Sequence, residues 1–317
     1  MLFRLAVLIT SLPIVARADL LDFETVQLLD TEAEKFPSLR FGDISKKFKR
    51  SSDCKAFPGT DSWPDENNWA ELRGVIDGAL LHPLPTAHVC YAGTTYNATE
   101  CRFLVEEADR THYWVDDPII TLTQWTQGNT CRPSLNTTGK RCERGGFPEY
   151  VVNATSVKHV QAAVNFARNS NVRLVIKNTG HDFGGRNLGA GSVSIWTHQF
   201  KDFKFLPKYT QGQYSGMAVQ FGSGLETWEI FNYMEEHDIT VVAAGSRTVG
   251  ANGGWFAIGG HGNLASYYGL GADQALEIHV VTADGRFVVA TPSRNKDLFY
   301  AMRGGGGSKL CLDAPRK

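Results

Sequence analysis

The sequence predicts an α+β chain, with a disulfide-tied N-terminal lobe followed by an α/β layer, and three observations carry that reading. From about residue 148 the stretch "PEYVVNATSVKHVQAAVNFARNSNVRLVIKNTGHD" runs strand, helix, strand, the building unit of layered α/β architectures. Five of the six cysteines lie in the N-terminal half. Between Gly245 and Gly271, nine of 27 residues are glycine, a density that marks backbone pressed close to something or left-handed at several positions.

The bulk numbers bound the rest. At 317 residues the chain has room for one large or two ordinary domains, and 42% hydrophobic with 21% charged residues is a globular composition. Its 32 basic and 33 acidic side chains leave a formal charge of -1, so no basic field exists to draw a phosphate backbone and nucleic acid is excluded as a partner.

Element by element, "MLFRLAVLITSLPIVARA" carries one early positive charge at Arg4, an apolar stretch from Leu5 to Val15 and the small-x-small triplet Ala16-Arg17-Ala18. It predicts a signal peptide over 1–18 and a chain in the secretory pathway. A membrane anchor needs about 20 continuous apolar residues, and no later segment provides them, so no membrane partner is expected. Sequons at Asn97, Asn136 and Asn153 predict glycan acceptors. The spacings of Cys54, Cys90, Cys101, Cys131, Cys142 and Cys311 include no C-x-x-C, which favours structural disulfides over zinc. Pairing Cys90 with Cys101 and Cys131 with Cys142 would close short loops, with Cys54 left over or joined to Cys311; the connectivity stays open.

Residues 19–145 form the lobe, where six prolines from Pro58 to Pro133 interrupt short helical pieces such as "NNWAELRGVID". In the unit that follows, Thr155 or Ser156 caps a helix whose Val157, Val160, Ala163, Val164 and Ala167 recur at helical spacing, ahead of a strand from Val172 to Lys177. "SVSIWTHQFKDFKFL", "AVQFGSG" and "ITVVAA" read as strands, "LETWEIFNYMEEHD" as a helix, and "ALEIHVVTADGRFVVAT" as two strands about an Asp284-Gly285 turn.

Which chemistry these elements serve is narrowed by what is missing. No G-x-G-x-x-G follows a strand, and no P-loop, H-E-x-x-H or G-x-S-x-G occurs. No metal is expected, and His159, His198, His237 and His279 read as surface or core residues. Glycine-rich backbone nevertheless suits a pyrophosphate, because amide N–H groups reach its oxygens only where no Cβ intervenes. "NTGHDFGG", at the end of an apolar run, sets one imidazole between glycines. Taken alone, His181 reads as a turn residue with no task.

Taken together, "RLVIKNTGHDFGGRNLGAGSVSIWTHQF", "TVGANGGWFAIGGHGNLASYYGLGADQALEIHVVTADGRFV" and "DLFYAMRGGGGS" resemble the fungal, secreted FAD-linked oxidoreductases. These form the berberine bridge enzyme-like branch of the vanillyl alcohol oxidase superfamily. The likeness covers about residues 50 to 308 and includes "CKAFPGTDSWPDENNW" and "TQGNTC". It implies a PCMH-type FAD-binding domain of two α/β subdomains over 146–308, with FAD as cofactor and a small-molecule substrate. It also implies that His181 is joined through a ring nitrogen to the flavin 8α-methyl. Gly180, Asp182, Gly184 and Gly185 on one wall, and Thr248, Val249, Gly250, Gly253 and Gly254 on the other, are the implied cradle, though Asp182 could simply cap its turn. Asn263, Tyr267 and Tyr268 match positions near the flavin or serve as packing. Some relatives carry a second link through cysteine where Ser246 stands, so a single covalent bond at most is expected.

The resemblance implies a two-electron oxidation: hydride to the flavin, a proton to a base, oxygen as final acceptor. Within the family the sequence is similar to the ergot-alkaloid enzymes that form chanoclavine by oxidative ring closure. Two alternatives are a secreted carbohydrate oxidase of the same fold and a non-catalytic secreted glycoprotein. After Ser308 the sequence departs from the family. Residues 309–317 read as an aberrant tail, the substrate domain is expected to be missing, no catalytic base is assigned, and the chain is expected to be inactive or unstable.

Overall fold

The computed structural model describes residues 19–43, 54–122 and 125–306. The expected signal peptide at 1–18, the tail at 309–317 and Cys311 lie outside the described residues.

Two short helices, α1 (Asp22–Thr25) and α2 (Asp30–Ala33), open the described chain. Next, α3 (Glu66–Val75) starts where the Asp65 carboxylate accepts the Asn68 N–H at 2.9 Å, an N-cap of the ordinary kind. After β1 (Leu80–Leu81) come α4 (Ala98–Glu107) and α5 (Thr111–Val115). The bonds Cys90–Cys101 and Cys131–Cys142 close the two short loops, and Cys54 is exposed and unbridged among the described residues.

The predicted strand-helix-strand unit is β2 (Tyr150–Asn153), α6 (Val157–Asn169) and β3 (Arg173–Lys177), with Ser156 at the N-cap position and Val172 in a separate bridge to Ala56. Then β4 (Ser192–Trp196) slots between β2 and β3, parallel to both, and β1 closes the sheet antiparallel to β2, giving the order β1-β2-β4-β3. Lobe and layer therefore share one sheet. They also share one core: Leu28, Leu39, Trp69 and Leu72 pack with Val152, Phe166, Val193 and Ile195. Trp69 lies between the rings of Tyr150 and Phe166, at 4.0 and 4.6 Å between centroids, the kind of aromatic stack that carries a large share of a core's apolar burial.

Helix α6 departs from the single apolar stripe. Its polar residues Gln161 and Asn165 are buried as well as Ala162, Ala163 and Phe166. The Gln161 side chain accepts the Leu28 N–H at 2.8 Å and donates to the Gly285 carbonyl at 3.0 Å, and Arg168 donates to the Ala283 and Arg40 carbonyls. Buried polar groups so satisfied cost little, which is how one helix packs on the sheet and still binds the N-terminal segment on its other side.

The second half is a long hairpin of β5 (Phe203–Gln211) and β6 (Tyr214–Phe221), then α7 (Thr227–His237), the short α8 (Ala265–Tyr268), a hairpin of β7 (Ile278–Val281) and β8 (Phe287–Ala290), and α9 (Lys296–Met302). The Asp284-Gly285 turn stands where expected. The strand expected at "ITVVAA" does not form: residues 239–244 pair with no ladder among the described residues. Ala243 and Ala244 are buried, with the Ala243 carbonyl against Gly262, so the apolar run is explained by packing. Among the described residues no helix is long and apolar enough to cross a membrane.

The N-terminal segment is also held by charge. His279 on β7 places Nδ1 2.7 Å from Glu24 and Nε2 2.8 Å from Glu277, with Glu24 buried and the other two side chains 10% exposed. Burial alone would lower its pKa, but the hydrogen bonds to Glu24 and Glu277 overcome this and raise it from 6.5 to about 9. The folded protein therefore keeps a proton that the unfolded chain releases. The resulting stabilisation is complete below pH 6.5 and is lost as the pH climbs through about 9. Glu24→Gln should cost on the order of 2 kcal/mol, as for a hydrogen bond to a charged group. Thermal melts should show the gap between variant and parent at pH 6 and its narrowing at pH 10; a gap that does not narrow would refute the clamp.

Candidate functional site

The parallel strands β3 and β4 end at Lys177 and Trp196, and in open α/β sheets ligands gather beyond such C-terminal ends. Lys177 has no exposed surface, although it is a lysine. Its Nζ donates to the Val115 carbonyl at 3.2 Å and lies 5.5 Å from the centre of the Trp196 ring. Burial lowers its pKa to about 7, against the opposing pull of Asp117, Asp116 and Glu226.

The "NTGHDFGG" turn starts on this floor. Gly180 sits at φ +88°, and a Cβ there would meet the Lys177 Cε at 3.2 Å, so both the backbone angle and the space call for glycine. Its carbonyl accepts the Leu122 N–H at 3.1 Å. His181 then projects half-buried into the gap, edge-on to Trp114 at 4.6 Å, with Nε2 2.9 Å from the Thr248 hydroxyl. Its pKa falls from 6.5 to about 4. Burial is the main cause and the Lys177 charge adds to it, while the hydrogen bond to Thr248 works the other way. The imidazole is therefore neutral at physiological pH.

Asp182 behaves as a turn cap. Its carboxylate accepts the Gly184 and Arg186 N–H groups at 3.1 and 2.9 Å and pairs with the Arg186 guanidinium at 2.8 Å, and chiefly that pairing holds its pKa below the usual range. A carboxylate so engaged shapes the loop, and it adds negative charge where a phosphate was expected to sit.

The second wall hangs on the start of α7. The Thr227 and Trp228 N–H groups donate to the Val249 and Arg247 carbonyls at 3.0 and 2.9 Å. Gly250 N–H donates to the Thr179 hydroxyl at 3.4 Å, which joins this wall to the first.

The glycines divide by cause. A Cβ at Gly250 would lie 2.8 Å from the Asn178 Oδ1, and one at Gly253 would strike the Asn178 amide. These two are glycine so that the wall can close on Asn178, whose own Nδ2 reaches the Ser223 carbonyl. Gly185, at φ +64°, would drive a Cβ into Thr126. Gly260 and Gly271 close on the Trp255 ring. Gly184 and Gly254 differ: both are exposed, a Cβ at Gly254 would meet nothing within 4 Å, and one at Gly184 would make only ordinary contact, at 3.4 Å. Packing does not explain these two.

For FAD the residues fit. Two glycine-bearing walls meet at His181 and Thr248, Gly184 and Gly254 offer open backbone, and Asn178 Oδ1 is buried with no partner among the described residues. Ser246 is exposed beside the second wall. Asn263 Oδ1 lies against Gly245, while Tyr267 and Tyr268 meet edge-on at 4.6 Å with Tyr267 largely exposed.

Several residues of this region carried no functional assignment from the sequence: Lys177, Asn178, Trp114 and a cluster of Asp116, Glu226 and His198, the last read as a surface or core residue and here buried. The lysine closing the apolar run "VRLVIK" was a usable signal; Trp114, far away in the lobe sequence, gave none. In the cluster His198 Nε2 lies 3.4 Å from Asp116 and 3.7 Å from Glu226, with one ligand atom of each residue within 4.8 Å of the others. The Lys201 ammonium, 3.5 Å from the same Glu226 oxygen and 2.5 Å from Glu229, already supplies a cation there.

A family model described as an FAD binding domain matches residues 148–291. The chain is 40% identical over 272 residues to the VAO-type flavoprotein oxidase VAO615 of Thermothelomyces thermophilus, covering 85% of this chain and 47% of that protein. To an FAD-linked oxidoreductase of Aspergillus clavatus it is 37% identical over 254 residues, covering 80% and 44%. The crystal structure of the VAO-type flavoprotein MtVAO615 from Myceliophthora thermophila C1 aligns with a TM-score of 0.77 at 41% identity, over 80% of this chain and 47% of that one. The chain thus spans about half the length of the curated relatives it matches.

Lys177→Met keeps the floor beneath Gly180 and removes the charge. Loss of a neighbouring cation favours the imidazolium, so the His181 midpoint should move up from about 4. Histidine NMR titration, with His181→Gln as the assignment control, checks this; an unmoved midpoint would leave burial as the whole cause.

Proposed function

We propose that the chain, a homologue of the VAO-type FAD-linked flavoproteins, holds FAD covalently through His181, as the cofactor-binding half of an oxidase acting on a small molecule. The observation that carries this reading is the neutral imidazole, half-buried in a turn that needs glycine and steadied across the cleft by Thr248. A neutral ring nitrogen has the lone pair that a C–N bond requires. Thr248 engages Nε2, so Nδ1 is the nitrogen proposed for the bond. Trp114, edge-on to the ring, restricts its rotation.

Bound FAD supplies a two-electron acceptor for a substrate hydride. The chain's own part is to orient it: Gly184 and Gly254 bring bare backbone to the ligand, and Asn178 offers a buried acceptor. No described residue is assigned as the base that takes the substrate's proton. The proposed substrate is a fungal secondary metabolite. Its finer form, oxidative ring closure of an ergot-alkaloid precursor, rests on the sequence resemblance. A carbohydrate substrate is the weaker reading, because the cysteine of a second flavin link is replaced by Ser246.

The secretory route is part of the same proposal. It is supported by the signal-like start, the sequons and the two disulfides, which persist in oxidising compartments.

Acid precipitation of the purified chain should leave yellow, fluorescent flavin in the pellet, and His181→Ala should release all of it to the supernatant. A colourless pellet from folded parent protein, or a yellow one from the variant, would sink covalent attachment at His181.

A further inference from the structure

The three sequons occupy very different places in the fold. Asn97 is exposed at the N-cap of α4, where its Oδ1 accepts the Thr99 and Glu100 N–H groups at 3.1 and 3.0 Å. The cap uses the oxygen, so Nδ2 remains for modification. Asn136 is exposed within the loop closed by Cys131 and Cys142. Asn153 ends β2, which lies inside the sheet between β1 and β4. Its N–H donates to the Ala79 carbonyl at 2.9 Å, its Oδ1 is buried without a partner among the described residues, and its neighbours Val152 and Ala154 have no exposed surface.

The two exposed acceptors share one junction. Asn97 N–H donates to the Val89 carbonyl at 2.9 Å, and the Thr137 hydroxyl to that of the next residue, Cys90, at 2.8 Å. Cys101 Sγ lies 3.5 Å from the Ser134 carbonyl. The two acceptor segments also leave three large apolar side chains in water: Tyr96 at 57% exposed, Phe103 on α4 at 54% and Leu135 at 68%. Tyr96 directly precedes Asn97, and Leu135 directly precedes Asn136. Large apolar side chains left in water next to an acceptor are ones that a glycan can shield. A shallow hollow of about 290 Å³, lined by Ala98, Thr99 and Arg102, adjoins Asn97.

We propose that Asn97 and Asn136, and not Asn153, are N-glycosylated, and that their glycans shield the exposed apolar side chains of the two acceptor segments, Tyr96, Phe103 and Leu135. The inference rests on the secretory reading and is independent of flavin attachment. In the reaction the side-chain Nδ2 attacks C1 of a lipid-pyrophosphate-linked oligosaccharide. The new C–N bond replaces the C–O bond to the pyrophosphate, which leaves with the lipid, and the amide gives up one proton. Asn153 is half-buried, its Oδ1 is fully enclosed and it pairs in register with the buried Trp196 of β4, so a sugar added there before folding would compete with the packing on that face of the sheet, whereas Asn97 and Asn136 carry theirs in open water.

The test is glycopeptide mapping of the full chain recovered from the medium of a glycosylating fungal host that uses the native leader. Glycan on both Asn97 and Asn136 with Asn153 bare supports the proposal; a bare Asn97, a bare Asn136 or a glycan on Asn153 overturns it. Chain that never reaches the medium overturns the secretory reading and this proposal with it, and leaves the acid-pellet flavin result untouched. Asn97→Asp keeps a capping oxygen and removes the acceptor, so it should lose one glycan while α4 stays folded. Enzymatic removal of both glycans from folded protein tests the cover: apolar-dye binding should rise and the chain should self-associate, and unchanged dye binding and mass would overturn that part.

Discussion

A lysine without exposed surface lies at the end of β3, and much of the site follows from keeping it there. Taking an ammonium out of water costs several kcal/mol even after relaxation, so Lys177 has to be surrounded by compensation. The structure supplies the Val115 carbonyl from α5, the Trp196 ring at the end of β4, and the carboxylates of Asp116, Asp117 and Glu226. Those groups come from the lobe, from the sheet and from the segment that opens α7. One buried charge thereby requires three parts of the chain to converge on the point from which the His181 turn springs.

That convergence adds a third tie between lobe and layer, beside the shared sheet and the shared core. The lobe contributes Trp114, which faces His181, and Thr121, whose backbone lies 3.3 Å from where a Cβ on Gly180 would be. On the opposite side of the sheet Trp69 is packed between Tyr150 and Phe166. The lobe thus shapes the site directly, and a flavin site built from residues 146–308 alone would lack the Trp114 ring beside His181 and the Val115 carbonyl that holds Lys177.

Periodicity and turn chemistry made much of this legible. Helix α6 with its flanking strands, and the Asp284-Gly285 hairpin, follow from local pattern, and the two disulfides lie at the short spacings that suggested them. What stayed hidden depends on partners distant in sequence. "ITVVAA" has the composition of a strand, yet a strand also needs a neighbour with free backbone, and residues 239–244 find none among those described. The glycine-rich stretch showed that something lies close, without showing what: for Gly250 and Gly253 it is Asn178, for Gly260 and Gly271 it is Trp255. Of the wall glycines expected to cradle the cofactor, Gly184 and Gly254 are left without a packing reason, which sharpens the site more than the bare count of glycines did. His181 was visible by family likeness; Lys177 beneath it required coordinates.

Four histidines with displaced pKa values set limits on the conditions the fold tolerates: burial lowers those of His159, His181 and His198, while His279 is raised. His181 and His198 are both held near 4, mainly by burial, with Lys177 adding to the effect on each and Lys201 on His198. Their unfolded counterparts take up protons near pH 6.5, so between there and about 4 the unfolded chain binds more protons and acid erodes stability. His279 acts in the opposite sense on the alkaline side, because two carboxylates favour its charged form. The same side chain type is thus pushed both ways by its neighbours: a lysine and an apolar turn in one place, a pair of glutamates in the other. A covalent bond at His181 would change only part of this balance, since the charges around His198 and His279 belong to the fold and not to the cofactor.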